Sequence, residues 1–131
     1  MPPVLLSYLV VFFGGGCGAA IRHGVNRLAL VLNPNFPAGT MVVNILGCFL
    51  MGGLTAWFAF KGEATSQPMR LLLTTGLLGG FTTFSAFSLD AAFLWQRGQT
   101  SAAACYVLGS VVLSLVAVFA GLAITRQVLG G

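Results

Sequence analysis

Polar side chains recur at helical spacing inside long apolar stretches of this sequence. Tyr106, Ser110 and Ser114 are four residues apart, so a helix would place three hydroxyl groups in a line. Asn44 lies in another apolar stretch, where a buried amide must form hydrogen bonds. Hydroxyl and amide groups donate hydrogen bonds, which suits them to binding a small anion. The same groups could instead hydrogen-bond within or between helices, and for Asn44 alone this is the simpler role.

Phe84 and Phe87 add aromatic rings to this set. They are three residues apart, so they share a helical face, and they alternate with hydroxyl side chains. Because an aromatic ring has a positive edge, a slot lined by ring edges and amide donors would suit a small anion. Asp90 follows, and we expect its carboxylate near the mouth of such a slot, paired with Arg22 or Arg97.

The run from Gly76 to Ser88 has an unusual composition for a membrane helix. Its thirteen residues include three glycines, two threonines, two serines and three phenylalanines. Gly79 and Gly80 weaken helix continuity, and Thr and Ser can bond their own backbone. We therefore predict a helix that is broken in mid-membrane. Freed N–H and C=O groups are tolerated there only beside an ion, a cavity or buried protein, and we favour an ion site.

Composition indicates the elements that must position these residues. The chain has 131 residues, of which 57% are hydrophobic and 6% charged, and its mean hydropathy is +0.97. A soluble domain carries about a quarter charged residues, so these values predict an integral membrane protein. Four apolar runs, at about 5–32, 39–60, 69–95 and 102–129, can each cross a bilayer as a helix. The scattered basic residues form no patch for nucleic acid.

Gly14, Gly18 and Arg22 are four residues apart in the first run, so they share one helical face. Small residues at this spacing let a second helix approach closely. Such packing would bring Arg22 toward protein, where its charge would attract anions. Arg22 could equally lie at the membrane interface and extend to the lipid headgroups.

The basic residues are divided evenly between the two sides of a four-span protein. One side carries Lys61, Arg70 and Arg126, and the other carries Arg22, Arg27 and Arg97. The distribution of Lys and Arg sets the orientation of membrane proteins. An even division therefore predicts that the chain inserts in both orientations and pairs with its inverted twin.

The sequence resembles the Fluc fluoride channels of microbes, also called CrcB, over its full length. The matching stretches are Gly18-Ala19-…-Arg22, Gly39-Thr40-…-Val43-Asn44-…-Gly47 and Gly79-Gly80-Phe81-Thr82-Thr83-Phe84-Ser85-…-Phe87-Ser88. The number of spans, the chain length and the charge balance agree as well. Two positions depart from the pattern, because Ala86 stands where many members have Thr and His23 where an aromatic residue is common.

The resemblance implies an all-α, antiparallel, dual-topology homodimer with two fluoride pores. The implied fluoride pathway consists of Asn44, Thr83, Phe84, Phe87, Tyr106, Ser110, Ser114 and Arg22. A structural sodium ion (Na⁺) would lie on the dimer axis, held by the backbone carbonyls of Gly79 and Thr82 from both subunits. The partners implied are the fluoride ion, a second copy of the chain and the lipid bilayer.

The implied function is passive export of fluoride across the plasma (inner) membrane of a microbe. Hydrogen fluoride crosses lipid as a neutral acid and ionises in a less acidic cytoplasm, and a channel driven by the membrane potential can release the trapped anion. The sequence has no ATP-binding motif and no mid-membrane carboxylate relay that would indicate pumping. It also lacks a nucleophile–base set, so we do not expect an enzyme.

Two other classes of membrane protein remain as alternatives. A small multidrug exporter is also a four-helix, dual-topology dimer, but it needs an intramembrane carboxylate for proton exchange. The acidic residues here are Glu63, expected to be solvated in a loop, and Asp90. A structural membrane subunit would explain the small-residue faces by packing alone, but it leaves the predicted helix break unexplained.

Overall fold

The structure, a computed structural model, describes residues 2–130 with the exception of the Glu63 side chain, so the expected solvation of Glu63 lies outside the described residues. The described chain is helical, with short connections. Its elements are α1 (Pro3–Leu32), α2 (Ala38–Lys61), a 3₁₀ turn (Gly62–Ala64), α3 (Gln67–Leu71), a π-helical segment (Leu72–Leu78), α4 (Gly79–Phe81), α5 (Phe84–Gln96) and α6 (Thr100–Gly130).

Four helical stretches are long and apolar enough to cross a membrane, as the sequence predicts. They are Pro3–Leu32, Ala38–Lys61, Gln67–Gln96 and Thr100–Gly130. We call the stretch Gln67–Gln96, which contains α3 to α5, the third span. The predicted runs all lie within these bounds and fall short of them by at most two residues at either end.

Local signals account for several helix ends. Pro3 begins α1, at a position where the missing N–H of proline costs no helical bond. Pro34 disfavours helical angles at the residue before it, and α1 ends at Leu32. Ser66 caps α3, because its Oγ accepts a hydrogen bond of 3.3 Å from the N–H of Met69.

The helices pack as two parallel pairs. α1 runs parallel to the third span, since Gly14 lies against Leu72 and Gly18 against Leu77. α2 also runs parallel to α6. Gly52 lies against Val118, whereas Met41, which comes earlier in α2, contacts α6 at a point nearer the start of that helix. Parallel first and third spans, together with parallel second and fourth spans, are what an up-down-up-down chain requires.

Glycines allow the backbones of α1 and the third span to touch. A methyl group added to Gly14 would lie 2.8 Å from the Leu72 carbonyl oxygen, and one on Gly18 would overlap the carbonyl oxygen of Leu77. A methyl group on Gly80 would likewise overlap the carbonyl of Gly15. The close approach predicted from the glycine spacing in α1 is confirmed.

We expect Gly18→Ala to destabilise the protein by about 1–3 kcal/mol, because the new methyl group overlaps backbone atoms that cannot rotate away. Gly16→Ala is the matched control in the same helix, since its methyl group would meet no atom within 4 Å. Thermal unfolding of both variants in detergent measures the difference. Equal unfolding temperatures would contradict the packing described here.

The third span departs twice from α-helical geometry. Its Leu72–Leu78 segment is π-helical, and the N–H of Gly79 closes this segment by bonding to the carbonyl of Thr74. Between α4 and α5, Thr82 (φ −90°, ψ 160°) and Thr83 (φ −156°, ψ 123°) have extended backbone angles. Gly79 keeps helical angles (φ −61°, ψ −39°). The sequence pointed mainly to the glycines as the place of the break, but the residues with extended angles are the threonines.

Candidate functional site

A cavity of about 360 Å³ lies where α2 and α6 meet the extended threonines and the start of α5. Most of the side chains proposed from the sequence line it. These are Asn44, Thr83, Phe84, Phe87, Ser110 and Ser114. Thr82, one of the two residues assigned to the sodium site, lies in the same wall. The arrangement therefore combines amide, hydroxyl and aromatic groups in one space.

Asn44 links α2 to the extended residues of the third span by two hydrogen bonds. Its Oδ1 accepts a hydrogen bond of 2.8 Å from the N–H of Thr83, and its Nδ2 donates one of 2.9 Å to the Thr83 carbonyl. The amide nitrogen carries two protons, so one remains for another acceptor. The sequence left open whether Asn44 links helices or donates to an anion, and this geometry permits both roles.

Thr82 still donates its N–H to the Leu78 carbonyl, but the N–H groups of Thr83 and Ala86 bond to side chains in place of helix carbonyls. In a continuous α-helix, Thr83 would donate to the Gly79 carbonyl and Ala86 to the Thr82 carbonyl. Here Thr83 donates to Asn44 Oδ1, and Ala86 donates to Thr83 Oγ1 at 3.1 Å. Within residues 2–130, the carbonyls of Gly79 and Thr82 therefore lose their helical donors.

Arg22 lies on the α1 side of the third span, and it is not part of the cavity wall described above. Its Nε donates a hydrogen bond of 3.0 Å to the carbonyl of Gly80, and the side chain is partly buried. The sequence left two positions open for Arg22, at the lipid headgroups or toward packed protein, and this contact agrees with the second. The Gly80 carbonyl, which lies near the extended threonines, therefore has a hydrogen-bond donor in Arg22.

Tyr106 does not border the cavity but packs against Phe87, which does. Its side chain is fully buried (0% exposed), with its ring 5.3 Å from that of Phe87 and 5.6 Å, edge-on, from that of Phe36. The Tyr106 hydroxyl donates to Asp90 Oδ2 at 3.2 Å. Ser110 and Ser114, the other members of the hydroxyl line, border the cavity itself.

The expected pairing of Asp90 with Arg22 or Arg97 is wrong. Asp90 accepts a hydrogen bond from Tyr106, whereas Arg22 donates to Gly80 and Arg97 Nε donates to the Phe93 carbonyl at 3.3 Å. The physical reason is local, because Arg97 folds back on the C-terminal turn of its own helix and Arg22 is held between α1 and α4.

Two features of the cavity wall stand out. Ser110 is 4% exposed, and its Oγ has no hydrogen-bond partner within the described part of the chain. A buried hydroxyl without a partner is costly unless something else satisfies it. Phe84 is 78% exposed although it borders the cavity, whereas Phe87 is 8% exposed. The wall formed by Phe84 is therefore open on its outer side.

Not every residue at this site was predicted from the sequence. The backbone N–H and C=O of Thr83 both bond to Asn44, and nothing in the local sequence indicates this pairing. The apolar wall residues Val111 and Leu115 were not predicted either. Each follows a serine of the hydroxyl line by one residue, and adjacent residues on a helix do not share a face, so the spacing gave no signal for them.

Comparisons with known proteins identify the family. A family model described as CrcB-like protein, Camphor Resistance (CrcB), matches residues 9–122. The fluoride-specific ion channel FluC of Methylobacterium nodulans is 57% identical over 123 residues, 94% of this chain and 98% of the relative. That of Paracoccus denitrificans is 55% identical over 120 residues, 92% and 94% of the two chains.

A further relative, the fluoride-specific ion channel FluC 2 of Nitrobacter hamburgensis, is 51% identical over 123 residues, 93% of this chain and 98% of the relative. Together with the four apolar helices, these matches show a multi-pass integral membrane protein. Since the family model covers most of the chain and several relatives match nearly end to end, this chain belongs to the CrcB family.

Proposed function

We propose that this protein is a passive fluoride channel that exports cytoplasmic fluoride across the inner membrane of a microbe. The observation that carries the proposal is the Ser110 hydroxyl, which is buried without a partner beside the cavity that Asn44 and the phenylalanines line. A small anion in this cavity would accept hydrogen bonds from Ser110 and from the free proton of Asn44. The names of the relatives, fluoride-specific ion channels, agree with this proposal.

The cavity also suits the properties of fluoride. The edges of Phe84 and Phe87 are positive, so they can contact an anion that has lost part of its water shell. Weak contacts with several groups let an ion enter and leave quickly. The proposed function is movement down an electrochemical gradient, so it includes no catalytic step.

We infer that the channel is an antiparallel homodimer. Phe84 borders the cavity and is 78% exposed, so a second subunit at this surface would complete the wall. The even division of basic residues supports insertion in both orientations. In this arrangement, the interruption at Thr82 and Thr83 would lie in mid-membrane, covered by the partner.

A structural Na⁺ would fit the carbonyls left by that interruption. Gly80 receives a bond from Arg22 and Thr83 one from Asn44, whereas Gly79 and Thr82 lose their helical donors to these rearrangements. Freed carbonyl oxygens are suitable ligands for Na⁺, and two subunits would contribute twice the number. The ion would neutralise buried oxygen dipoles and favour anions nearby.

Fluoride efflux from liposomes that contain the purified full-length protein tests the proposed function. We expect efflux of fluoride and little efflux of chloride from matched liposomes once a potassium ionophore dissipates the potential. Equal release of both ions, or no release of fluoride, would contradict the proposal. Uptake of a quaternary ammonium compound driven by a proton gradient would instead indicate a multidrug exporter.

We expect Phe84→Ile and Phe87→Ile to reduce fluoride flux about tenfold while leaving an intact dimer. Isoleucine keeps an apolar side chain but removes the positive ring edge, and a tenfold loss of flux corresponds to about 1.4 kcal/mol. Phe93→Ile is a matched control, since Phe93 is an exposed phenylalanine further along α5. Wild-type flux in both variants, with intact protein, would remove these rings from the pathway.

We expect the chain to insert in both orientations. A cysteine placed in the 97–99 turn of a cysteine-free variant should react with an impermeant thiol reagent from either side of the membrane. Lysines added to the same turn should bias the reaction toward one side, because they break the even charge division. Reaction from a single side without added lysines would contradict dual topology.

A further inference from the structure

The hydrogen bond between Asp90 and Tyr106 joins α5 to α6 beside the cavity wall. Tyr106 is fully buried, and its ring contacts Phe87, which lines the cavity. Asp90 lies three residues beyond Phe87 on α5, and its Oδ2 accepts the bond from the Tyr106 hydroxyl at 3.2 Å. Tyr106 is also one helical turn from Ser110, which borders the cavity, so the pair lies next to the part of the wall that Phe87 and Ser110 form.

The chemistry of a phenol limits what Tyr106 can offer to an anion. The hydroxyl has a single proton, and an ionised carboxylate can only accept hydrogen bonds. While this proton points at Asp90, the phenol presents its oxygen lone pairs in the other directions. Lone pairs repel an anion, so Tyr106 in this state is not a binding group.

The length of the bond limits how firmly the proton is held. Hydroxyl–carboxylate bonds are commonly about 2.5–2.7 Å long, and this one measures 3.2 Å. Asp90 therefore directs the Tyr106 proton without binding it tightly. Removing the carboxylate oxygen should free the hydroxyl to rotate.

We propose that Asp90 is a positioning residue that keeps the Tyr106 proton away from a passing anion. The inference rests on the proposed function, because it assumes that fluoride moves from the cavity past Phe87 to this pair. Its consequence is a weak site, and weak binding is what lets an ion leave a pore rapidly. While the bond to Asp90 is present, Tyr106 belongs to the hydroxyl line by position but does not donate to the anion.

The test compares two replacements of Asp90 in the reconstituted full-length protein. Asp90→Asn removes the charge but keeps an oxygen that can accept the Tyr106 proton, whereas Asp90→Leu removes both. We expect the fluoride concentration that gives half-maximal efflux to fall about three- to tenfold further in Asp90→Leu than in Asp90→Asn. Tyr106→Phe should abolish this difference, because the phenylalanine has no proton to release.

A Raman measurement tests the same bond without any ion flux. The chain has two tyrosines, so Tyr8→Phe leaves Tyr106 as the sole source of the tyrosine doublet, whose intensity ratio reports hydrogen-bond donation. We expect a donor ratio in Tyr8→Phe and loss of it when Asp90→Leu is added. An unchanged ratio would overturn the proposal.

The flux results separate the remaining outcomes. Equal half-maximal concentrations in Asp90→Leu and Asp90→Asn would mean that Asp90 acts by its charge alone, which overturns the positioning role. A difference that persists in the Tyr106→Phe background would overturn it as well. No fluoride efflux from the unmodified protein would contradict the proposed function, and the pathway role of this pair with it, whatever the Raman result.

Discussion

Asn44→Leu is expected to lower fluoride efflux by about 100-fold. The leucine is similar in volume, but it removes both hydrogen bonds to the Thr83 backbone. Each backbone group left unsatisfied in buried surroundings costs about 1–3 kcal/mol, so we expect Thr83 to leave the conformation that shapes the cavity wall. The substitution also removes the free amide proton that faces the cavity.

A second variant separates these two roles of Asn44. Asn44→Asp keeps an oxygen for the Thr83 N–H but has no amide proton, and its charge repels anions. We expect both variants to conduct little fluoride, and the unfolding temperature to fall further in Asn44→Leu, which loses both bonds to Thr83, than in Asn44→Asp, which loses the bond to the Thr83 carbonyl. Leu46→Ala, at an exposed apolar position of α2, is the control and should conduct normally. Near-normal efflux in Asn44→Leu would contradict the assignment.

Exhaustive removal of sodium is expected to abolish dimerisation or to reduce fluoride efflux at least tenfold. Without the ion, the carbonyls of Gly79 and Thr82 from two subunits would face one another in a low-dielectric setting, where each unsatisfied group is costly. N-methylglucamine should not restore either property, because it is too large to enter between carbonyl oxygens.

The sodium experiment requires control of slow exchange. Prolonged dialysis into N-methylglucamine, with sodium in the protein measured directly by atomic absorption, shows whether a bound ion has left. Returning sodium should then restore the dimer and its flux. A protein shown to be free of sodium that keeps both properties would argue decisively against the site.

Helical periodicity made the larger elements predictable. The four spans follow from runs long enough to cross a bilayer, and Gly14 and Gly18 identified the face of α1 that touches the third span. The serine spacing on α6 and the types of residue at Asn44 and Phe87 identified most of the cavity wall. In each case one helix determines which residues share a face, so no knowledge of tertiary contacts is needed.

Contacts between distant helices were not predictable in the same way. No local pattern in Leu72–Leu78 indicates π-helical geometry, which depends on how the span packs along its length. The partners of Asp90 and Arg22 depend on side-chain direction across helix pairs, and charge alone pointed Asp90 to the wrong partner. The sequence suggested that Gly79 and Gly80 break the helix. In the structure, the missing side chain of Gly80 instead allows α1 to lie directly against it.

The glycine contact between α1 and the third span also restricts how the sequence can evolve. A clash between large and small side chains can be relieved by shrinking one partner, but the atoms facing Gly18 and Gly80 are backbone atoms common to every amino acid. No compensating mutation on the opposite helix can make room for a larger residue there. A larger residue is therefore expected to be tolerated at glycines such as Gly16 and Gly24, which face open space, and not at Gly18 or Gly80.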